Sequence, residues 1–227
     1  MTGVTTQVQS LKTLVAESSE ANASRCNAGN SAPELSGYSA DSILFDIESE
    51  FKRINPASSE AVYRWYQSPL ARKIRSAEKQ VIEYGSLRDF LQTSQYKDPV
   101  RNELIQSIVG NTQTVEFVAT VVTEIEYAGR VHSGCIEKAE APGSVNREQV
   151  AADITRNDKA LTATMFMSDI TAETAWLLRS LTTDELIRYE AYTATDDAQR
   201  FYRDLITAVQ HGLTRAGDRI SLAASSL

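Results

Sequence analysis

The stretch that decides the fold is "YRWYQSPLARK", Tyr63 to Lys73. Three aromatics, Tyr63, Trp65 and Tyr66, precede a Ser-Pro pair, and Arg64, Arg72 and Lys73 add positive charge. Ser68 is a good helix N-cap, because its short side-chain oxygen can accept from an orphan N–H of the first turn. Pro69 suits the first helical position, where its preset φ helps and its missing N–H costs nothing. One helix therefore ends before Ser68 and another starts at Pro69. Leu70, Ile74, Ala77 and Val81 continue at helical spacing towards Gly85, which is expected to stop the second helix.

The joint recurs. Laying Ile54–Gly85 over Leu181–Gly212, at a constant offset of 127, places Val62 on Tyr189, Trp65 on Tyr192 and Ser68 on Thr195. Ala71 then falls on Ala198, Ile74 on Phe201 and Gly85 on Gly212. This pattern predicts an internal two-fold repeat over 54–85 and 181–212. The second copy, "AYTATDDAQR", keeps the aromatic, the hydroxyl cap and the small residue but not the cluster of positive charge. A catalytic motif needs its polar atoms, while a packing motif needs only shape. Trp65 and Tyr192 are thus expected to act as wedges between paired helices.

Helical spacing extends along the chain, and only 10 Gly and 5 Pro punctuate its 227 residues. The expectation is a single all-α domain over 1–227, a multi-helix, bundle-like array of antiparallel helices. Val8, Leu11 and Val15 form one apolar stripe, after which "NASRCNAGNSAPELSG" has the composition of a long connection. Ser39 is placed to cap a helix lined by Ile43, Leu44, Ile47, Phe51 and Ile54. "NPASSEAVYRWYQ" predicts a short helix with Pro56 in its first turn. "SLRDFLQTSQ" and "DPVRNELIQSIVG" predict two more, and Thr114 can cap an apolar helix to about Val131 that belongs in the core. "EKAEAPGSVN" is the clearest break, and four helical patterns follow it.

A formal charge of −7 and a pI near 5.0 give no positive field to gather polyanions, which argues against nucleic-acid binding. No run approaches the roughly 18 apolar residues of a membrane span. "MTGVTTQVQSLKTL" has neither the basic start nor the apolar core of a leader. The protein is therefore either cytoplasmic or exported with its leader removed. Cys26 and Cys135 belong to no CxxC pair. They suit one structural disulfide in an oxidising compartment, worth about 4–5 kcal/mol in the chain-entropy model, against the alternative of two unconnected buried thiols.

The segment "VYRWYQSPLARKI" resembles the "FYxSPxGxKf" pattern of a bacterial exported helical family, domain of unknown function 2059. The second copy, "LTTDELIRYEAYTATDDAQRF", matches that family's lead-in of a hydroxyl residue, acids and Leu. It has Thr195-Asp196 in place of Ser-Pro, and the first copy has Ala71 where Gly is common. The resemblance covers about thirty residues in each copy. It implies an all-helical periplasmic protein and favours the disulfide. It supplies no catalytic residue.

Other constellations are sparse. His132 and Cys135 have a spacing seen in zinc sites, but the chain holds only His211 and Cys26 besides them, and a closed site needs about four ligands. No metal or cofactor is expected. The acids Glu124, Glu126, Asp153, Asp158, Asp169, Asp196 and Asp197 would serve a hydrolase only if two faced each other across a cleft. Arg64, Arg72, Lys73, Arg75 and Lys79 concentrate positive charge on an acidic chain and fit an anionic group or an acidic partner, although a solvated helix face is the commoner use of such a run. Met165-Phe166-Met167 could line an adaptable apolar groove but more often such a run is core. The expected function is a non-enzymatic binding or interaction module of the bacterial envelope, engaging a partner protein or an apolar ligand. Its candidate residues are Arg64, Trp65, Arg72, Lys73, Arg75 and Tyr192, with Trp176 and the Met165–Met167 run beside them. The alternative is a hydrolase using carboxylates with His132 or His211.

Overall fold

The computed structural model describes residues 2–26, 38–54, 60–80, 82, 84–133, 152 and 163–224. Ten α-helices run through them: α1 Thr2–Cys26, α2 Ala40–Ile54, α3 Glu60–Gln67, α4 Pro69–Glu78, α5 Tyr84–Phe90, α6 Pro99–Asn111, α7 Thr114–His132, α8 Ala163–Leu177, α9 Thr183–Thr193 and α10 Asp196–Ala224. A single 3₁₀ turn, Leu178–Ser180, links α8 towards α9, and there is no strand among the described residues. The protein is all-α. None of its described helices is long and apolar enough to cross a membrane.

Two compact units share these helices. The first comprises Met1–Gly3, Asn55–Phe117 and Ala160–Leu205; the second comprises Val4–Ile54, Val118–Lys159 and Ile206–Leu227.

In the first unit the helices are started by side chains that the sequence placed where orphan N–H groups needed them. Ser68 Oγ accepts from Ala71 N at 3.1 Å, with Pro69 opening α4. Asp98 caps α6 in the same way, accepting from Val100 N and Arg101 N. Thr182 and Glu185 form a reciprocal capping box at α9. At the α3–α4 joint Ser68 N donates to Trp65 O at 2.8 Å and Arg72 N to Ser68 O at 3.1 Å. The α9–α10 joint repeats this set at the offset read from sequence. Thr195 N donates to Tyr192 O at 3.0 Å, Ala198 N to Thr195 Oγ1 at 3.3 Å and Gln199 N to Thr195 O at 2.9 Å. Ala71 and Ala198 are both buried at these corners. The 3₁₀ turn is pinned by Gln95 and Arg101, which donate to the carbonyls of Arg179 and Leu181. Between α6 and α7, Gln113 takes a φ of 53°, left-handed backbone that a non-glycine residue adopts at some cost.

The second unit buries an apolar core that includes Ile43, Phe51, Val131, Leu213 and Ile220, and adds polar pairs and close backbones to it. The apolar stripe of α1, Leu11 and Val15, passes into Ser19 and Asn22, and all four are buried. Ser18 donates to Glu126 Oε2 at 2.7 Å and Asn22 to Glu126 Oε1 at 3.2 Å. A Cβ on Gly129 would lie 2.3 Å from Ser18 Oγ, so α1 and α7 approach as closely as they do only because that position is glycine. Asp46, on α2, is 6% exposed and receives Arg215 at 3.2 Å and Arg219 at 2.6 Å from α10. Thr214 donates to the buried Glu124 at 3.0 Å.

Three boundaries differ from expectation. The helix begun at Pro69 stops at Glu78, and Gly85 lies within α5 rather than ending anything. Gly212 lies in the interior of α10; its lack of a side chain admits Ile47, whose Cγ1 would sit 2.5 Å from an added Cβ. The repeat therefore does not close on a glycine stop in either copy. The connection expected from Asn22 also begins later, because α1 continues to Cys26. Its polar residues pair with α7, so a stretch with the composition of a loop is a buried helix face. Pro56, Cys135 and the Cys26 side chain, the break at 137–146 and the pattern before Ala163 lie outside the described residues, and the Cys26–Cys135 pairing lies there with them.

Candidate functional site

The sequence candidates at the first joint separate into two groups. Trp65 and Tyr192 come together. Their rings stack with centroids 4.1 Å apart and planes 10° from parallel, and Tyr189 lies parallel to Trp65 at 6.1 Å. Tyr66 packs on Phe201 at 5.4 Å, and Tyr202 hydrogen-bonds both Tyr66 and Tyr189. Burial first, and then the neighbouring phenols and Glu78, push Tyr66, Tyr189 and Tyr202 well above the ordinary phenol value, so this cluster holds its protons at any physiological pH. Burial does the same to Tyr192, whose hydroxyl finds no hydrogen-bond partner among the described residues. These rings are the packing core of the joint.

The basic residues are mostly used internally. Arg64 pairs with Glu60 one turn away on α3. Lys73 reaches Glu185 of the capping box at 2.7 Å and, by hydrogen bonding, holds its carboxyl below the usual range. Arg75 donates to the carbonyl of Tyr66 at 2.9 Å and lies over the Tyr66 ring at 5.8 Å. Arg72 is exposed and has no side-chain partner among the described residues. Arg179, not singled out by sequence, stacks on the buried Trp176 with its guanidinium carbon 3.5 Å from the ring centroid.

Both histidines lie in the second unit, and only His132 has a hydrogen-bond partner at its Nδ1. His132 Nδ1 lies 2.7 Å from Ser19 Oγ, and His211 Nδ1 lies 3.7 Å from Glu50 Oε2. Glu50 is held below its ordinary value chiefly by hydrogen bonds from Arg53. Burial pushes the Glu126 carboxyl up, but hydrogen bonds from Ser18, Arg130 and Asn22 outweigh it and leave the group low. Among the described residues, no three His, Cys, Asp or Glu side chains converge as metal ligands would.

A concave site lies elsewhere in the first unit. Asn102 and Gln106 from α6, Met167, Ser168 and Thr171 from α8 and Tyr96 from the preceding turn line a groove of about 250 Å³. Asn102 Nδ2 donates to the carbonyl of Tyr96 at 2.7 Å, which ties the turn to the helix and orients the amide. Tyr96 packs edge-on against Phe90 at 5.7 Å. Thr171 is only 8% exposed, yet its hydroxyl makes no hydrogen bond among the described residues. A helical Thr ordinarily satisfies this group on the preceding turn. Left unmade, the bond costs about 1–3 kcal/mol. Of the groove residues only Met167 was flagged by sequence. The signal for the others was faint: Asn102 and Gln106 fall one turn apart on α6, as Met167 and Thr171 do on α8.

Compared with known protein families, with curated proteins and with solved structures, the chain finds no match.

Proposed function

We propose that the protein is a non-enzymatic binding module, and that the α6–α8 groove is where it binds. The observation that carries this reading is the groove itself, a concavity of about 250 Å³ lined by side chains from α6, α8 and the turn before α6. Ligand sites are concave and place a few polar groups among apolar ones, as Asn102, Gln106, Ser168 and Thr171 stand beside Met167 and Tyr96. Of the groups a hydrolase would use, His132 lies against Ser19, Glu126 is held by Ser18, Asn22 and Arg130, and Glu124 accepts from Thr214. In this reading the Trp65–Tyr192 joint holds the unit together rather than meeting the ligand. In this reading the resemblance of both joints to domain of unknown function 2059 favours a periplasmic module with Cys26 and Cys135 bridged and the two joints as copies of one ancestral unit; the matching cap hydrogen bonds at the offset of 127 support that kinship. A library of small fragments screened by amide chemical-shift mapping tests the site. Hits should concentrate on residues 96–106 and 167–171. A hydrolytic turnover lost on replacing His132 or His211 would overturn the reading in favour of the hydrolase.

A further inference from the structure

We infer that His211 is a proton-operated latch between α2 and α10: only as the imidazolium does its ring bond to Glu50 and hold these two helices of the second unit together. The helices already meet closely at this place. Gly212, the next residue on α10, makes room for α2, where an added Cβ would lie 3.2 Å from Ile47 N and 3.3 Å from Ile43 O. Beside this contact His211 Nδ1 is closed to solvent, makes no hydrogen bond and lies 3.7 Å from Glu50 Oε2. Glu50 is only 8% exposed.

Neither neutral form of the ring suits that place. With its proton on Nδ1, a buried N–H stands beyond hydrogen-bond distance of the acceptor. With its proton on Nε2, the Nδ1 lone pair stands beside a carboxylate. The imidazolium carries a proton on both nitrogens, and the same carboxylate attracts it. Glu50 has capacity for the bond. Arg53 gives one hydrogen bond to each of its oxygens, Nε to Oε2 at 2.9 Å and Nη2 to Oε1 at 2.5 Å, while a carboxylate offers about four acceptor sites. The His211 side chain is 39% exposed, which leaves the ring free to turn and close the gap.

The other charges around the pair do not reverse the sign. On α2, Arg53 opposes a second cation, but its side chain is 70% exposed and water screens it. On α10, Arg215 lies one turn beyond His211 and is bound to Asp46 of α2 at 3.2 Å, with Arg219 on the same carboxylate at 2.6 Å. From α7, the acid Glu124 accepts from Thr214, three residues along α10 from His211. The latch therefore has two edges. It closes as pH falls through the histidine range, roughly pH 8 to 5, and what it adds to stability is lost as pH rises through that range. It opens again below pH 4.5, because hydrogen bonds from Arg53 hold the Glu50 carboxyl low and it takes up its proton only there.

Amide hydrogen exchange on the full chain at pH 8 and pH 6, corrected for the intrinsic rate at each pH, tests the latch. Ile43, Ile47 and Phe51 of α2 and Val209 and Leu213 of α10 should gain protection roughly 2- to 5-fold at the lower pH. His211→Gln, at a part-exposed position, should lose that gain. Glu50→Gln, which keeps the shape of the acceptor without its charge, should lose it too. A gain of the same size in wild type and His211→Gln, or one that survives Glu50→Gln, overturns the proposal. Should Glu50→Gln fail to fold, the wild-type ring decides. Its Nδ1–H proton, slowed in exchange by the bond to Glu50, should be visible by NMR at pH 6 and not at pH 8, and its absence at pH 6 overturns the latch.

Discussion

The two units of this chain solve the same packing problem with different chemistry. In the first, helices meet through stacked aromatics, Trp65 on Tyr192 and Tyr66 on Phe201, and through capped corners with a buried alanine. In the second an apolar core, Ile43, Phe51, Leu213 and Ile220 among it, is crossed by carboxylates, hydroxyls and guanidinium groups, with glycines where two helices approach most closely. Aromatic packing is indifferent to pH until a phenol ionises. Carboxylate networks are not, because each bond depends on a charge. The contrast shows how helices with similar apolar spacing can form units with opposite sensitivities.

The largest expected effect separates the units by pH. Folding raises the pKa of Tyr66, Tyr189, Tyr192 and Tyr202 above the ordinary 10.0, so the stability they contribute is complete below pH 10.0 and is lost as pH rises beyond it. In the second unit burial raises the Tyr38 phenol in the same way. Glu126 and Glu50 go the other way. Their folded pKa values lie below the ordinary 4.5, so their contribution is present above pH 4.5 and fades as pH falls below it. Both tryptophans of the chain, Trp65 and Trp176, belong to the first unit and report on it alone. Tryptophan emission should therefore shift in alkali, while acid should first release amide protection in α2 and the later part of α10. Emission that shifts in acid before any loss of that protection would break the comparison.

Glycine replacements should differ in sign between the units. Gly212→Ala and Gly129→Ala place a Cβ 2.5 Å from Ile47 Cγ1 and 2.3 Å from Ser18 Oγ, and each should cost about 1–3 kcal/mol in chemical denaturation. Gly85 and Gly110, in helices of the first unit, have nothing within 4 Å of an added Cβ. Their alanine variants should instead gain about 0.5–1 kcal/mol.

A smaller effect belongs to the joint. A double-mutant cycle on Trp65→Leu and Tyr192→Leu should give a coupling of about 0.5–1.5 kcal/mol beyond the area lost. Additive variants would mean that the stack contributes nothing specific. The two caps should match each other most closely. Ser68→Ala and Thr195→Ala should each cost about 1 kcal/mol, since both hydroxyls accept one N–H in the same place. Unequal costs would show that the joints share geometry but not energetics.

Much of the first unit was legible because its signals are local. The Ser68-Pro69 pair and the Thr195 hydroxyl each mark a helix start through contacts spanning a few residues. That Trp65 and Tyr192 each precede a hydroxyl-capped corner was legible too, by offset. Their direct stacking was not, since offset says which positions correspond and not whether they touch. The basic run was misleading for the same reason. Lys73 looks free until Glu185, 112 positions away, meets it. The groove left almost no trace, because it is lined by common polar residues drawn from two helices and a turn.

The sequence by itself determined that this protein is helical and that Ser39, Ser68 and Thr195 cap α2, α4 and α10. These follow from short-range periodicity and from the unpaired N–H groups of each first turn. Only the tertiary structure decided that Ser19 and Asn22 continue a buried face, that Gly212 is a point of close approach rather than a stop, and that Thr171 is buried without a partner. The physical reason is that a polar residue or a glycine takes its meaning from what another helix brings against it, and no local rule carries that information.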